Sequence, residues 1–193
     1  MKEVFRKFKY FGNFLYNVYM DKDLKRSTLR LNLVPLTMED EPYYFRLFSD
    51  PQSMQFSMGI RSAEDVHHWM IDQCTHWDKT GIGAFTIYSG DRTFIGSCGL
   101  YLKNRPNLPR SIELGYRLLP EYWGLGYATE ACTELLRFAS ELPEIQRIVA
   151  LVDPQNTGSI HVLRKLGFQY QKELMLPGYD HPDELWMLEL TPN

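Results

Sequence analysis

Hydrophobic positions along the chain change period several times, and each change marks an element. Leu29, Leu31 and Leu33 alternate as a half-buried strand does. A helix follows near 39 to 49 and stops at Asp50-Pro51, because a residue before proline is pushed out of the helical region. Ser62 stands as N-cap before Val66, Trp69, Met70, Gln73 and Trp77, which keep helical spacing. Two strands, near 83 to 88 and 93 to 101, flank the Gly90-Asp91 turn. A third, near 111 to 119, carries the alternation Leu114, Tyr116, Leu118. From Ala128 the spacing becomes helical again through Ala131, Cys132, Leu135, Leu136 and Ala139. Arg147 to Val152 is an apolar strand bounded by Asp153-Pro154, and a final pair near 168 to 175 and 184 to 190 is split by the run Pro177 to Pro182.

The order β-α-α-β-β-β-α-β-α-β-β predicts an α/β chain of mixed character: a central, mixed, twisted sheet of about seven strands flanked by helices. Ahead of it, Val4, Phe8, Phe11, Leu15 and Val18 recur at intervals of four, three, four and three, while Lys2, Arg6, Lys9 and Asn13 fall elsewhere on the wheel. Residues 1–27 therefore read as an amphipathic helical extension, and 28–193 as the principal domain. Such a stripe packs on its own domain or on a sister subunit, as in a homodimer, in preference to a membrane surface.

At 193 residues and 44% hydrophobic content the chain can bury one core. A net charge of -3 gives no general attraction to nucleic acid. Cys74, Cys98 and Cys132 include no Cys-x-x-Cys pair, so neither a disulfide framework nor a metal site is indicated. No apolar run approaches the roughly 20 residues of a membrane span, and the basic start leads into no signal-peptide pattern. The expectation is a cytoplasmic protein without a membrane span.

The densest stretch is Pro120 to Ala131, where a strand, a Gly-x-Gly turn and a helix start follow in succession. Gly124 and Gly126 let the backbone turn tightly, and the amides of about residues 124 to 129 are left without helical acceptors. Such amides bind phosphate oxygens. Taken alone, the turn fits an ordinary strand-to-helix connection equally well. Downstream, Asn156-Thr157-Gly158-Ser159 opens another short helix, closed by Lys165-Leu166-Gly167-Phe168.

With Leu29-Arg30-Leu31, Thr37-x-x-Asp40, Phe94-Ile95-Gly96 and Ile112 to Tyr116, this ordered series resembles the GNAT superfamily of acetyl-coenzyme A-dependent N-acetyltransferases. The series resembles in particular the branch holding the bacterial ribosomal-protein alanine and serine acetyltransferases, and the likeness extends from about residue 28 to 190. It implies a cofactor site at Leu118, Leu119, Trp123, Gly124, Leu125, Gly126, Tyr127, Ala128 and Thr129, with Asn156 and Ser159 also reaching coenzyme A. It further implies that strands near 116 to 119 and 147 to 152 splay apart to admit pantetheine. For Leu118 and Leu119 the plain alternative is core; for Asn156 it is an N-cap role, which can coexist with cofactor contact.

Two positions depart from the superfamily pattern. Glu121 stands where Gln or Arg is common; a carboxylate repels pyrophosphate, so it is expected to point away, while Glu130 is expected to help fix the turn. Leu163 stands where many members carry a tyrosine acid. A thiol has a reference pKa of about 8.5, so a thiolate leaves without strong assistance, and Ser159 or water can supply the proton. Glu113 is the candidate base, either directly or through water; its alternative is an outward-facing residue paired with a neighbour such as Arg117. Arg105, Arg110, Tyr179, Asp180 and Asp183, on loops near 103 to 110 and 176 to 184, are the candidate acceptor residues by the same resemblance.

The expected reaction is direct acetyl transfer to a primary amine, preferably a protein or peptide N-terminal α-amine. The alternatives are a polyamine or antibiotic acceptor, or a non-catalytic coenzyme A sensor or adaptor. No metal and no direct nucleic-acid contact are expected.

Overall fold

The computed structural model describes residues 6–11, 14–19, 24–102, 110–142 and 145–190. Ten strands and four α-helices lie within them: β1 (Arg6–Phe11), β2 (Phe14–Tyr19), β3 (Arg26–Ser27), β4 (Leu31–Pro35), α1 (Glu41–Ser49), α2 (Ala63–Thr80), β5 (Ala84–Ser89), β6 (Phe94–Tyr101), β7 (Ser111–Leu118), α3 (Tyr127–Ser140), β8 (Arg147–Val152), α4 (Thr157–Lys165), β9 (Gln169–Met175) and β10 (Pro182–Glu189).

Eight strands form one mixed sheet in the order β3-β4-β5-β6-β7-β8-β10-β9. The strand beyond the expected seven is β3, two residues that pair with Leu33 and Asn32 of β4. All pairings are antiparallel except β7 with β8. Residues Phe94 to Leu100 of β6 are all buried, as a central strand covered on both faces must be.

One core lies between the sheet and α3 and α4, around Leu33, Ile87, Leu100, Leu114, Leu135 and Leu163. The other lies under α1 and α2, around Tyr44, Leu47, Val66, Met70 and Leu119. Cys98 and Cys132 are buried in the first, and Cys74 is half-buried beside the second. Helix starts follow their caps. The Asp65 N–H donates to Ser62 Oγ at 3.1 Å, and the Ser159 N–H to Asn156 Oδ1 at 3.0 Å.

Over residues 6–11 and 14–19 the structure has strands in place of the amphipathic helix expected before residue 27. β1 and β2 make an antiparallel hairpin in register from Arg6↔Tyr19 to Phe11↔Phe14. Its sequence is dense in Phe, Tyr and Val, which favour extended backbone, and this preference outweighs the helical spacing, so the described residues offer no helical stripe to a sister subunit. Among the described residues no helix is long and apolar enough to cross a membrane, and no His, Cys, Asp and Glu side chains group as metal ligands.

Pairing of β7 with β8 runs only from Ser111↔Arg147 to Glu113↔Val149. Beyond Glu113, β7 stays hydrogen-bonded to β6 as far as Leu118, while β8 continues with β10 to Val152. The two parallel strands thus part in the middle of the sheet, and α3 and α4 begin beside that opening.

Candidate active site

Leu118 is followed by a short 3-10 turn, Pro120–Tyr122, and then by Gly124 (φ 73°) and Gly126 (φ 83°), both left-handed. A side chain at either position would strain this backbone, which explains the glycines. Helix α3 starts immediately after, so its first amides have no intrahelical acceptors and its dipole is positive here. Trp123 is anchored by its indole N–H, which donates to the Leu118 carbonyl at 2.8 Å. Leu125 is exposed, and Tyr127, Ala128 and Thr129 are half-buried.

Glu130 fastens this turn to the start of the sheet. Its carboxylate accepts from Thr28 Oγ1 (2.5 Å), the Arg30 N–H (2.9 Å) and Arg30 Nε (2.7 Å). Arg30 also donates to the Leu125 carbonyl at 3.0 Å and lies 4.4 Å over the Tyr127 ring. Burial opposes the Glu130 charge, yet the Thr28 and Arg30 donors hold its carboxyl below the usual range. Glu121 points away from the turn and pairs with Arg46 of α1.

Along the opening, Leu118 and Leu119 are buried side chains, and the Leu119 N–H donates to the Ile95 carbonyl at 3.1 Å. Asn156 caps α4 with its carbonyl oxygen, which leaves its amide NH₂ free of that task. Ser159 Oγ lies 2.7 Å from the hydroxyl of Tyr116, whose O–H is also 3.3 Å from the Ser159 carbonyl. Burial, with the neighbouring Cys132, pushes the Tyr116 phenol up, so it stays protonated at neutral pH. Leu163, where a family tyrosine was sought, is core. A phenol nevertheless reaches Ser159 from β7. Its signal in the sequence was the alternation Leu114, Tyr116, Leu118, which puts Tyr116 on the helix-facing side of the strand.

Alternation places Glu113, Gly115 and Arg117 on the opposite face of β7. Gly99 of β6 lies across from Gly115, and the Tyr101 ring covers both. A Cβ at Gly99 would come within 2.6 Å of Tyr101 Oη, and one at Gly115 within 3.2 Å of Tyr101 Cε2. Arg117 does not pair with Glu113. Their Cα atoms are about 13 Å apart along one strand, and Arg117 donates instead to the Ser53 carbonyl and, at 2.6 Å, to Ser57 Oγ. Arg61 lies over the rings of Phe48 (4.7 Å) and Trp69 (5.6 Å). Residues 53 to 61, which sequence reasoning passed over, thus lie against this face of β7. The segment meets the 176–184 turn at Gly178, where a Cβ would come within 2.9 Å of Met58 Cε.

Tyr179 stands beside Arg61 and Arg117, and burial raises its phenol pKa. The acidic residues expected nearby are gathered around His181. Asp180 Oδ1 is 2.7 Å from Nδ1, Asp153 Oδ2 is 3.1 Å from Nε2, and Asp183 Oδ1 is 4.0 Å from Nε2. The Asp180 bond, and then Asp153, raise the His181 pKa against the opposing effect of burial. Burial and Asp153 raise that of Asp183. Arg110 is at the other end of β7, left-handed at φ 59°, with its carbonyl accepting from the Gln146 N–H. The structure therefore does not bring Arg110 to the parted end of the strand. Arg105 lies outside the described residues.

A mixed sheet opened between two parallel strands, with a Gly-x-Gly helix start at the opening, defines an acyltransferase architecture. The acetyltransferase (GNAT) domain model matches residues 30–169, and the chain belongs to that family. It is 31% identical over 158 residues to the uncharacterized N-acetyltransferase p20 of Bacillus licheniformis, covering 79% of this chain and 85% of that one. It is 26% identical over 155 residues to the spermidine N(1)-acetyltransferase of Escherichia coli K12, covering 77% and 78%. The crystal structure of an acetyltransferase from Agrobacterium tumefaciens superposes with a TM-score of 0.72 at 28% identity, over 86% of this chain and 94% of that one. The protein is an acetyltransferase.

Proposed function

We propose that the acetyl donor is acetyl-coenzyme A and that the preferred acceptor is a protein or peptide N-terminal α-amine. The observation that carries the donor assignment is the parting of β7 from β8 after Glu113↔Val149, directly beside the left-handed Gly124-Leu125-Gly126 turn. The residues fit the group. Free amides at the start of α3 suit its pyrophosphate, the Asn156 amide lies at the start of α4, and the edge of β7 beyond Glu113 is free of β8 to meet its pantetheine amides. When bound, coenzyme A presents a thioester carbonyl to the acceptor.

The chain's own residues then manage protons and position. The amine's lone pair forms the new C–N bond as the C–S bond breaks. Glu113, directly or through water, takes the proton the amine loses. The Tyr116–Ser159 pair gives a proton to the departing sulfur, and a β7 amide at the opening stabilises the oxyanion. An α-amine suits such modest base assistance. Its reference pKa, about 7.7 to 8.0 against about 10.4 for a lysine-like amine, leaves more of it neutral at pH 7.

A polyamine acceptor is the second reading, supported by the likeness to a spermidine acetyltransferase. Against it, Asp180 and Asp183 lie around His181, and two arginines, Arg61 and Arg117, stand beside Tyr179. Turnover measured over free-N-terminus peptides, spermidine and aminoglycosides decides between them. Efficient acetylation of a polycation with none of peptides rejects the α-amine reading and keeps the acetyltransferase.

A further inference from the structure

Arg117 rises from β7 on the same face as the candidate base Glu113, and Arg61 faces it from the segment leading into α2. Both guanidiniums lie beside one aromatic ring, 5.9 Å and 4.7 Å from the Phe48 centroid. Among the described residues neither is in an ion pair. Among the described residues Arg117 hydrogen-bonds to the neutral Ser53 carbonyl and Ser57 hydroxyl, and the Arg61 guanidinium finds no acceptor there. Burial, with the repulsion of Arg61, lowers the Arg117 pKa to about 10, so it keeps its charge at neutral pH. The carboxylate that favours the Arg61 charge, Asp65, is exposed and is bonded to the Ser62 hydroxyl and N–H at the cap of α2. Two like charges beside one ring and partly out of water, with only that exposed carboxylate acting on one of them, favour a ligand that brings a counter-charge.

We propose that Arg61 and Arg117 recognise a carboxylate on the acceptor, so that the preferred acceptor is a peptide N-terminus followed within its first four residues by Asp or Glu. The inference rests on the α-amine reading above and adds its sequence preference. Spacing sets the position of the acid: Glu113 and Arg117 are four residues apart on an extended strand, about 13 Å, and an extended peptide covers that in about four residues. A guanidinium meets a carboxylate through two parallel N–H donors, and Arg61 has its whole fork available. A polycation in the same place would face two positive charges.

The test compares kcat/KM for Ser-Ala-Glu-Ala and Ser-Ala-Gln-Ala peptides, with free N-termini and amidated C-termini, on the full-length protein and on Arg61→Gln and Arg61→Lys. Arg61 is the better site for substitution, because Arg117 also ties the segment from 53 to 57 to the sheet. The expected wild-type preference for the Glu peptide is about 10- to 100-fold, the range for a hydrogen bond to a charged group, and is carried mainly by KM. Arg61→Gln should bring the Glu-to-Gln ratio close to one, and Arg61→Lys should restore part of it. Equal rates on both peptides in the wild type would overturn the carboxylate site and leave the α-amine reading intact. Turnover confined to a small carboxylate-bearing amine, and dependent on Arg61, would overturn the α-amine reading and uphold the anion site. Turnover confined to spermidine would overturn both.

Discussion

Tyr116 and Ser159 face each other across the parted strands with their hydroxyl oxygens 2.7 Å apart, joining β7 to the first turn of α4. The pair places a protonated phenol behind a serine at the point where the helix that caps on Asn156 begins. If it delivers the proton to the departing sulfur, Tyr116→Phe and Ser159→Ala should each lower kcat by about 10²- to 10⁴-fold, the usual scale for a positioned acid. Residues that act as one unit lose activity together, so the double variant should be little worse than either single one. Steady-state kinetics and calorimetric titration with coenzyme A check this: kcat falls in both variants, and affinity holds in Tyr116→Phe. Wild-type turnover in Tyr116→Phe would leave the contact as packing.

Gly126 takes φ 83° immediately before α3, a conformation that costs a β-branched residue about 1 to 3 kcal/mol. The nearest atom to a Cβ placed there is Arg30 Nη2 at 3.5 Å, so the main penalty is backbone strain and crowding of an incoming phosphate. Gly126→Val should weaken acetyl-coenzyme A binding about 5- to 150-fold by the same energy. Unchanged calorimetric affinity in a folded variant would reject the phosphate turn.

Asp40 is a buried carboxylate that accepts from the Thr37 N–H (3.0 Å), Thr86 Oγ1 (2.8 Å) and Tyr88 Oη (2.5 Å). Thr86 in turn meets Tyr44, and Tyr44 donates to Ser97, so one polar chain runs through the core under α1. Asp40→Ala strands buried donors at about 1 to 3 kcal/mol each. Denaturant unfolding should show a loss of at least that size; a change under about 0.5 kcal/mol would mean that water replaces the carboxylate.

The 176–183 turn is tied down by charge and should respond to pH. The His181 pKa is raised in the folded state by Asp180 and Asp153, so its contribution is complete below the unfolded value of about 6.5 and is lost as pH rises through the folded value. Asp180 is shifted the other way by its bond to His181, so its share is present above about 3.9 and is lost as pH falls through its lowered folded value. The tie is therefore strongest between those limits. Proton-detected titration of His181 should give an apparent pKa above 6.5, and Asp180→Asn should lower it. No shift in that variant would contradict the pairing.

Much of this architecture is legible in the chain because local and global preferences agree. Ser62 caps α2 and Asn156 caps α4, and the apolar Arg147 to Val152 run is β8 with the same ends. The N-terminal segment misleads because one spacing of apolar residues fits a helix while their kind, aromatic and β-branched, fits a hairpin. The sites that escaped are those made by distant pairs. Nothing local to Tyr116 announces Ser159, 43 residues away, and nothing local to Arg61 announces Arg117. Likewise, the acidity of Asp180 and Asp183 reads as an attraction for cations until His181 is seen between them and Asp153.

The central claim, acetyl transfer from acetyl-coenzyme A to a peptide α-amine, is tested most directly by incubating the full-length protein with acetyl-coenzyme A and two peptides of one sequence. One has a free N-terminus; in the other the α-amine is blocked and a lysine side chain remains. Thiol release and mass spectrometry report the outcome. The prediction is a single acetyl group on the free N-terminus, with one equivalent of thiol released per acetyl and no reaction of the blocked peptide. Absence of acetylation on the free peptide, with spermidine acetylated in the same assay, would contradict it.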